Sequence, residues 1–177
     1  MSLTVITLWA ALLVPWLTLF FLKKEVVKKY FPVATFTALL VTIVFEIAYS
    51  LNWWEMLVSI APGGEITNIS FVYGVFFIGT IWIFYFTYRK FWIFLITNVI
   101  IGAMQSFVLS PYLFEGWLFR LNRLNDFQVF LIMVGLSLII YVYQRWQEGA
   151  LKDVGRNGYN KVEFDLRNPL SAKEKSR

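Results

Sequence analysis

The chain has 177 residues, of which 59% are hydrophobic, 20% aromatic and only 15% charged, with a formal net charge of +5. A soluble monomer of this composition would lack the polar surface to coat itself, and disorder requires low hydrophobicity with high charge, so neither fits. Neither Cys nor His occurs, so the chain cannot itself supply a thiol nucleophile, a disulfide, a zinc finger, a His-ligated haem or a Ser-His-Asp triad.

A helix needs about 20 mostly apolar residues to cross a hydrocarbon core about 30 Å thick. Five segments meet that requirement, and they predict an all-α fold: a polytopic integral membrane bundle of five helices over residues 1–148. The first, residues 3–22, is uncharged. No Lys or Arg precedes it, whereas Lys23, Lys24, Lys28 and Lys29 follow it, so it is expected to be a retained helix and not a secretion signal. The second, residues 33–50, holds one charge, Glu46. The third, fourth and fifth, residues 69–88, 91–109 and 127–143, are uncharged.

Lys and Arg gather on one side of this layout. Fourteen fall after the first helix, between the third and fourth, and beyond Gln144; the other side holds two, Arg120 and Arg123. The excess marks the cytoplasmic face, which predicts an outside N-terminus, a cytoplasmic C-terminus and a multi-pass cell-membrane location. Trp53, Trp54 and Trp117 then fall at the outer boundary and Trp92 and Trp146 at the inner one, where indole rings prefer to lie.

The outer loops carry helix signals. Asn52-Trp53-Trp54-Glu55 has the spacing of a helix start. Ser110-Pro111 fits a cap with proline in the first turn. Leu113, Phe114, Trp117, Leu118, Leu121 and Leu124 then recur at three- and four-residue spacing, as in an amphipathic surface helix. The alternative is a plain extension of helix four past its proline. Residues 149–177 change character, with several glycines and a basic end, and read as a flexible cytoplasmic tail. Within it Val162–Leu166 alternates like a short strand, which cannot form a sheet alone.

Glu46 is the only acid inside a predicted span, and an intramembrane ionisable residue is a functional candidate by default. It stands six residues before Asn52, about 9 Å below the outer edge, where a structural pairing with Arg120 or Arg123 is the other expectation. Ala34, Ala38, Thr42 and Glu46 repeat every four residues on helix two, and Asn98, Gly102, Ser106 and Ser110 do so on helix four. Such series allow close helix packing, with polar members bonding across. The two faces are expected to pair, gathering Glu46, Tyr73, Gln105 and Ser106 into a polar cluster beneath the outer loops. Lys23, Lys24, Lys28, Lys29, Arg89 and Lys90 form an inner basic rim that sets topology and binds anionic lipid headgroups.

Several features together resemble a group of small uncharacterised multispanning membrane proteins of endospore-forming bacteria. They are the basic stretch leading to Tyr30-Phe31-Pro32, the aromatic Asn52-Trp53-Trp54 exit, the turn at Tyr88-Arg89-Lys90, and Tyr141-Val142-Tyr143-Gln144-Arg145-Trp146. The resemblance covers residues 23–146 and implies a bacterial plasma-membrane location. The group has no established activity to carry over.

No phosphate loop, dinucleotide fingerprint or carboxylate-rich metal motif is present, and no cofactor or metal is expected. The basic residues sit where topology requires them, so nucleic acid is not an expected partner. The function expected first is that of an interaction protein: an accessory, scaffold or oligomerising membrane subunit, partnered by the bilayer and by copies of itself or another membrane protein. A transporter or channel-like protein with Glu46 as its proton or cation site is the alternative. A lipid-acting membrane enzyme with Glu46 as general base is the third.

Overall fold

The computed structural model describes residues 3–60, 66–88 and 90–167, and of residues 151–167 only the course of the backbone. The chain is mostly helical: α1 (Leu3–Thr18), α2 (Lys24–Ser50), α3 (Phe77–Thr87), α4 (Phe91–Met104) and α5 (Asp126–Arg167), with two short strands, β1 (Trp54–Met56) and β2 (Phe119–Leu121). Two wider π-helical stretches adjoin these. Ser70–Phe76 leads into α3, and Gln105–Phe114 continues α4. Counted with these extensions, five helices are long and apolar enough to cross a membrane: Thr4–Phe21, Lys24–Ser50, Ser70–Thr87, Phe91–Phe114 and Asp126–Ala150. The chain divides into two compact units, Met1–Ile140 and Tyr141–Arg177.

The core of the first unit is built on α2 and α3. Tyr30, Val33, Ala34, Thr37, Ala38 and Val41 recur at three- and four-residue spacing and are buried, where α2 packs along α3 and the π segment before it. Opposite them α3 buries Phe77, Ile78, Ile81 and Phe84. The Tyr30 ring stacks on Phe84 at 5.8 Å and meets Tyr88 edge-on at 5.9 Å. Small side chains at 34 and 38 let the aromatic rings do the filling, as close packing requires.

The small faces of α2 and α4 do not pair as the sequence predicts. α3 packs against both helices, and consecutive elements usually neighbour each other. The small face of α4 turns instead to α5: a side chain added at Gly102 would meet the Phe130 ring at 3.5 Å, and the Ser106 hydroxyl lies 3.9 Å from the Met133 sulfur. Nor does Asn98 bond across helices, and other helical polar groups behave alike. Thr37, Thr80, Thr87 and Asn98 each donate to a carbonyl four residues back in their own helix, at 2.6–2.9 Å. Such back-bonding satisfies a hydroxyl locally and leaves helix contacts to packing.

α1 is anchored near its end. Trp16 Nε1 donates to the Tyr73 carbonyl at 3.0 Å, its ring stacks on Phe77 at 5.6 Å, and Trp82 Nε1 donates to Thr18 Oγ1 at 2.9 Å. The backbones approach closely at Gly74. A Cβ there would stand 2.9 Å from Leu12 Cα and closer still to the Ala11 carbonyl oxygen.

The structure corrects the helix start expected at Asn52 and, for the second loop, bears out the alternative in which helix four extends past its proline. Asn52 does not open a helix; it closes α2. It sits at φ 53°, while Trp53 N–H donates to the Ala48 carbonyl at 2.8 Å and Asn52 N–H to Tyr49 at 3.2 Å. This is a Schellman ending with Asn in the left-handed position, one of the few residues besides Gly that takes it readily. The chain leaves extended, and Trp54, Glu55 and Met56 pair antiparallel with Leu121, Arg120 and Phe119. The amphipathic pattern after Pro111 is likewise not a separate helix. The α4 helix runs on through Pro111 as a π segment to Phe114, closed by Glu115 N–H donating to Ser110 at 2.8 Å, and β2 follows. Because β1 and β2 pair, the α2–α3 and α4–α5 connections lie at one end of the bundle.

Two boundaries also differ. α2 begins at Lys24, so part of the basic stretch is helical, with Pro32 accommodated inside. The backbone of residues 149–167 is helical as part of α5, where the sequence predicts a flexible tail. No proline interrupts that stretch before Pro169.

Gly74→Ala is expected to cost about 1–3 kcal/mol, the usual cost of overpacking, and to lower the thermal unfolding midpoint of the purified protein. Gly79→Ala, whose added carbon meets nothing within 4 Å, should leave the midpoint unchanged or raise it, since Ala is the better helix former. Equal effects at the two positions would show that the α1 crossing is not as close as described.

Candidate functional site

Between the paired strands and the helix ends lies an apolar chamber of about 130 Å³. Its walls come from six stretches of chain. α2 contributes Val41, Val44 and Phe45; the segment leading into α3 gives Asn68, Phe71 and Phe76; the π segment after α4 gives Gln105 and Phe114; α5 gives Val129, Ile132, Met133 and Leu136. The strand pair borders one side with Trp54, Met56, Phe119 and Leu121, together with Leu118, and the chamber remains partly open.

The closure follows from strand alternation. Successive side chains point to opposite faces. Trp54 and Met56, with Phe119 and Leu121, line the chamber, while the intervening Glu55 and Arg120 form an exposed ion pair at 3.5 Å. Further bonds hold the lid. Asn122 Nδ2 donates to Asn52 Oδ1 at 2.9 Å, Leu57 N–H to Leu118 at 2.9 Å, and the N–H groups of Asn122 and Arg123 both reach the Trp53 carbonyl, at 2.9 and 3.2 Å. Trp54 meets Phe45 edge-on at 5.6 Å, fixing its ring over α2.

Among the described residues, two buried hydrogen-bond donors on residues that line this chamber have no partner. Asn68 is 97% buried (3% exposed). Its Oδ1 accepts the Phe71 N–H at 3.3 Å and its carbonyl accepts those of Phe71 and Val72, so the oxygen side of the residue starts the π segment. Its Nδ2 is buried without a partner, as is Trp54 Nε1. In sequence Asn68 is flanked by two more buried unpartnered hydroxyls, Thr67 and Ser70. Native interiors rarely leave such groups unsatisfied, and each usually marks a bound water, an ion or a function.

The polar cluster expected from the sequence does not assemble. Ser106 is fully buried and Gln105 lines the chamber. Glu46 is exposed, beside the exposed Ile43 and Ile47, and Tyr73 is exposed on the π segment. The reason is geometric. Four α-helical residues overshoot one turn by roughly 40°, so the series from Ala34 through Ala38 and Thr42 has rotated roughly 120° by Glu46. Ala34 and Ala38 are buried, Thr42 is half-buried and Glu46 faces outward. On α4 the π winding reverses this drift, because four residues fall short of a wider turn, and Gly102, Ser106 and Ser110 all stay buried. Asn98 is half-buried.

Neither expected partner reaches Glu46: Arg120 pairs with Glu55, and Arg123 contributes its backbone N–H to the lid. Of the basic rim, Lys23, Lys24, Lys28, Lys29 and Lys90 are exposed, with Lys29 Nζ 5.0 Å from the centres of the Tyr30 and Tyr88 rings. Arg89 lies outside the described residues. Sequence reasoning placed Trp54 at the outer boundary and did not single out Asn68, and both line the chamber. The available signal was an amide placed directly before an apolar run.

No protein-family model matches the chain, and no curated protein or solved structure is detectably similar to it.

Asn52→Ala should cost about 1–2 kcal/mol, the usual strain of a left-handed residue carrying a Cβ, and Asn52→Gly less. Arg120→Ala should cost under about 1 kcal/mol, because its ion pair is exposed. Chemical unfolding of the three variants checks the order; an Arg120→Ala loss exceeding that of Asn52→Ala would show that the ion pair, and not the helix ending, holds the lid.

Proposed function

We propose that this chain is a multi-pass cell-membrane protein, N-terminus outside and C-terminus cytoplasmic, that acts by interaction within the bilayer as an accessory, scaffold or oligomerising subunit. Five apolar helices with large exposed apolar faces support the location. Ile93, Ile96, Ile100, Met104 and Phe107 on the α4 helix and its extension are all exposed, a surface suited to lipid and costly in water. The shared end of the two strand-bearing loops agrees with the outer side assigned from the sparse Lys and Arg there. The exposed Trp92 at the opposite boundary agrees with an inner interface.

The observation that carries the interaction role is the outward face of Glu46. Among the described residues it has no ion pair or hydrogen bond, and no Asp, Glu, Lys or Arg side chain is buried. A carboxylate presented to hydrocarbon is unfavourable, by about 2.5–3.5 kcal/mol at mid-membrane and by less at the outer-leaflet depth of Glu46. Its two-methylene stem is shorter than the Lys and Arg stems that snorkel. A polar group on a second helix, from a partner or another copy, relieves that cost. The same position argues against a conduit through the chain's own interior, which would require an inward-facing acid.

The absence of Cys makes single-Cys reporters clean. A membrane-impermeant maleimide should label Glu115→Cys on intact cells and Lys28→Cys only after permeabilisation; the opposite pattern reverses the orientation. For the interface, a photocrosslinking residue at position 46 should yield a protein adduct, and Glu46→Ala should weaken assembly about 5- to 30-fold, the worth of an interhelical hydrogen bond. Adducts to lipid alone, with assembly unchanged in Glu46→Ala, would sink the interaction role.

A further inference from the structure

We propose that the chamber beneath the strand pair is a binding site for the aliphatic chain of a bilayer lipid. The chain seats a short run of its methylenes in the chamber, and the rest of the lipid, headgroup included, stays outside. This site rests on the membrane location proposed above for its supply of ligand.

The chemistry of the wall selects hydrocarbon. The lining is mostly Val, Leu, Ile, Met and Phe, and it includes no Lys, Arg, Asp or Glu. Only Trp54, Asn68 and Gln105 among the lining residues carry a side-chain nitrogen or oxygen, and Trp54 Nε1 and Asn68 Nδ2 are fully buried within the protein. The surface that those two residues offer to the chamber is therefore not their N–H groups. A headgroup phosphate or ammonium inside would be an uncompensated buried charge. Water enters such a space only where several polar partners hold it, and apolar cavities otherwise stay dry and accept apolar ligands.

Packing leaves the space open. Protein interiors have few voids larger than a water molecule. Met56 and Met133 are in the wall, and methionine adapts readily to irregular gaps, yet about 130 Å³ remains. The α5 helix contributes Val129, Ile132, Met133 and Leu136, all half-buried, at the three- and four-residue spacing of one helical face. An unfilled void forfeits dispersion contacts along its lining, and a chain segment restores them.

Size and depth both fit one lipid chain. An engineered apolar cavity of about 150 Å³ holds one benzene, so 130 Å³ takes roughly five chain carbons on the same scale. A partner helix, about 10 Å across with its side chains, does not fit that volume. Among the lining residues, Val41 stands nine residues before Ser50, the last of α2, and Leu136 ten residues after Asp126, the first of α5. At about 1.5 Å per residue the lining reaches about 14–15 Å below the lid-side end of each helix. That is half of a hydrocarbon core about 30 Å thick, the range occupied by the chains of one leaflet.

The test uses the full chain in phosphatidylcholine nanodiscs doped with the same lipid carrying a diazirine midway along one chain. Mass spectrometry should place one set of adducts on Val129, Ile132 or Leu136 and on Val41 or Val44. A second set should fall on Ile96 and Ile100, which are exposed on α4. Leu136→Trp and Val44→Phe add bulk at the chamber from two different helices. Each should abolish the first set and leave the second unchanged, with helical content checked by circular dichroism. Phosphatidylglycerol carrying the same chain should label the chamber equally, because the headgroup stays outside. Chamber adducts that persist in both folded variants come from lipid on the outer surface and would overturn the proposal. So would labelling that depends on one headgroup. The second set keeps the two readings apart: its presence with the chamber unlabelled refutes the site alone, whereas a chain that yields neither set and is recovered in the soluble fraction refutes the membrane location.

Discussion

The pairing of Trp54–Met56 with Phe119–Leu121 sets most of what is particular about this molecule. Two three-residue strands have no stability by themselves, and here they join segments more than sixty residues apart in sequence. They persist because both ends are prepared. The α2 helix is terminated by Asn52 in the left-handed region, so the chain departs extended at a fixed angle. The α4 helix is prolonged by its π segment to Phe114, so the second strand starts over the same helix end. Once paired, the register leaves no freedom. A slip of one residue would turn Trp54 and Met56 outward and bring Glu55 into the apolar chamber, at the cost of a buried unpaired carboxylate.

The helices were legible in the sequence because a long apolar run needs no partner to be recognised. All five apolar segments correspond to helices of sufficient length. What surrounds them was not, and the failures share a cause. Asn52 carries a side chain equally suited to starting a helix and to ending one; the choice depends on its backbone torsion, which the residue type alone does not decide. Leu121 satisfies a helical spacing with Leu118 and Trp117 and also a strand spacing with Phe119. Their true partner lies at positions 54–56, beyond any local window. Nonlocal pairing of short strands leaves almost no periodic trace.

The fate of Glu46 shows the same limit in rotation instead of distance. A column of residues four apart looks like one face on paper, but it winds around an α-helix. Ala34 and Ala38 are under α3 while Glu46, on the same column, is outside. The matching column on α4 stays inside only because the helix widens after Met104. A π segment cannot be read from residue types, and Pro111 within it is more readily taken as the start of something new. The expected polar cluster therefore failed on helix winding, while the individual residues were correctly recognised as unusual.

The resulting distribution of polarity separates binding from chemistry. Helical hydroxyls such as those of Thr37, Thr80 and Thr87 are consumed by their own backbones. Glu46, Lys23, Lys24, Lys28, Lys29, Lys90 and the lid pair hold their charges toward the surface, while Asp126 is half-buried. In the chamber wall the unpartnered donors are an amide and an indole N–H, neither of which exchanges protons near neutral pH. General acid or base catalysis requires a group of matched pKa within hydrogen-bond reach of the reacting atom, and the wall offers none. The uncharged donors are held inside and the unpaired acid of α2 faces outward, and the strand pair that covers the first begins immediately after the helix that presents the second.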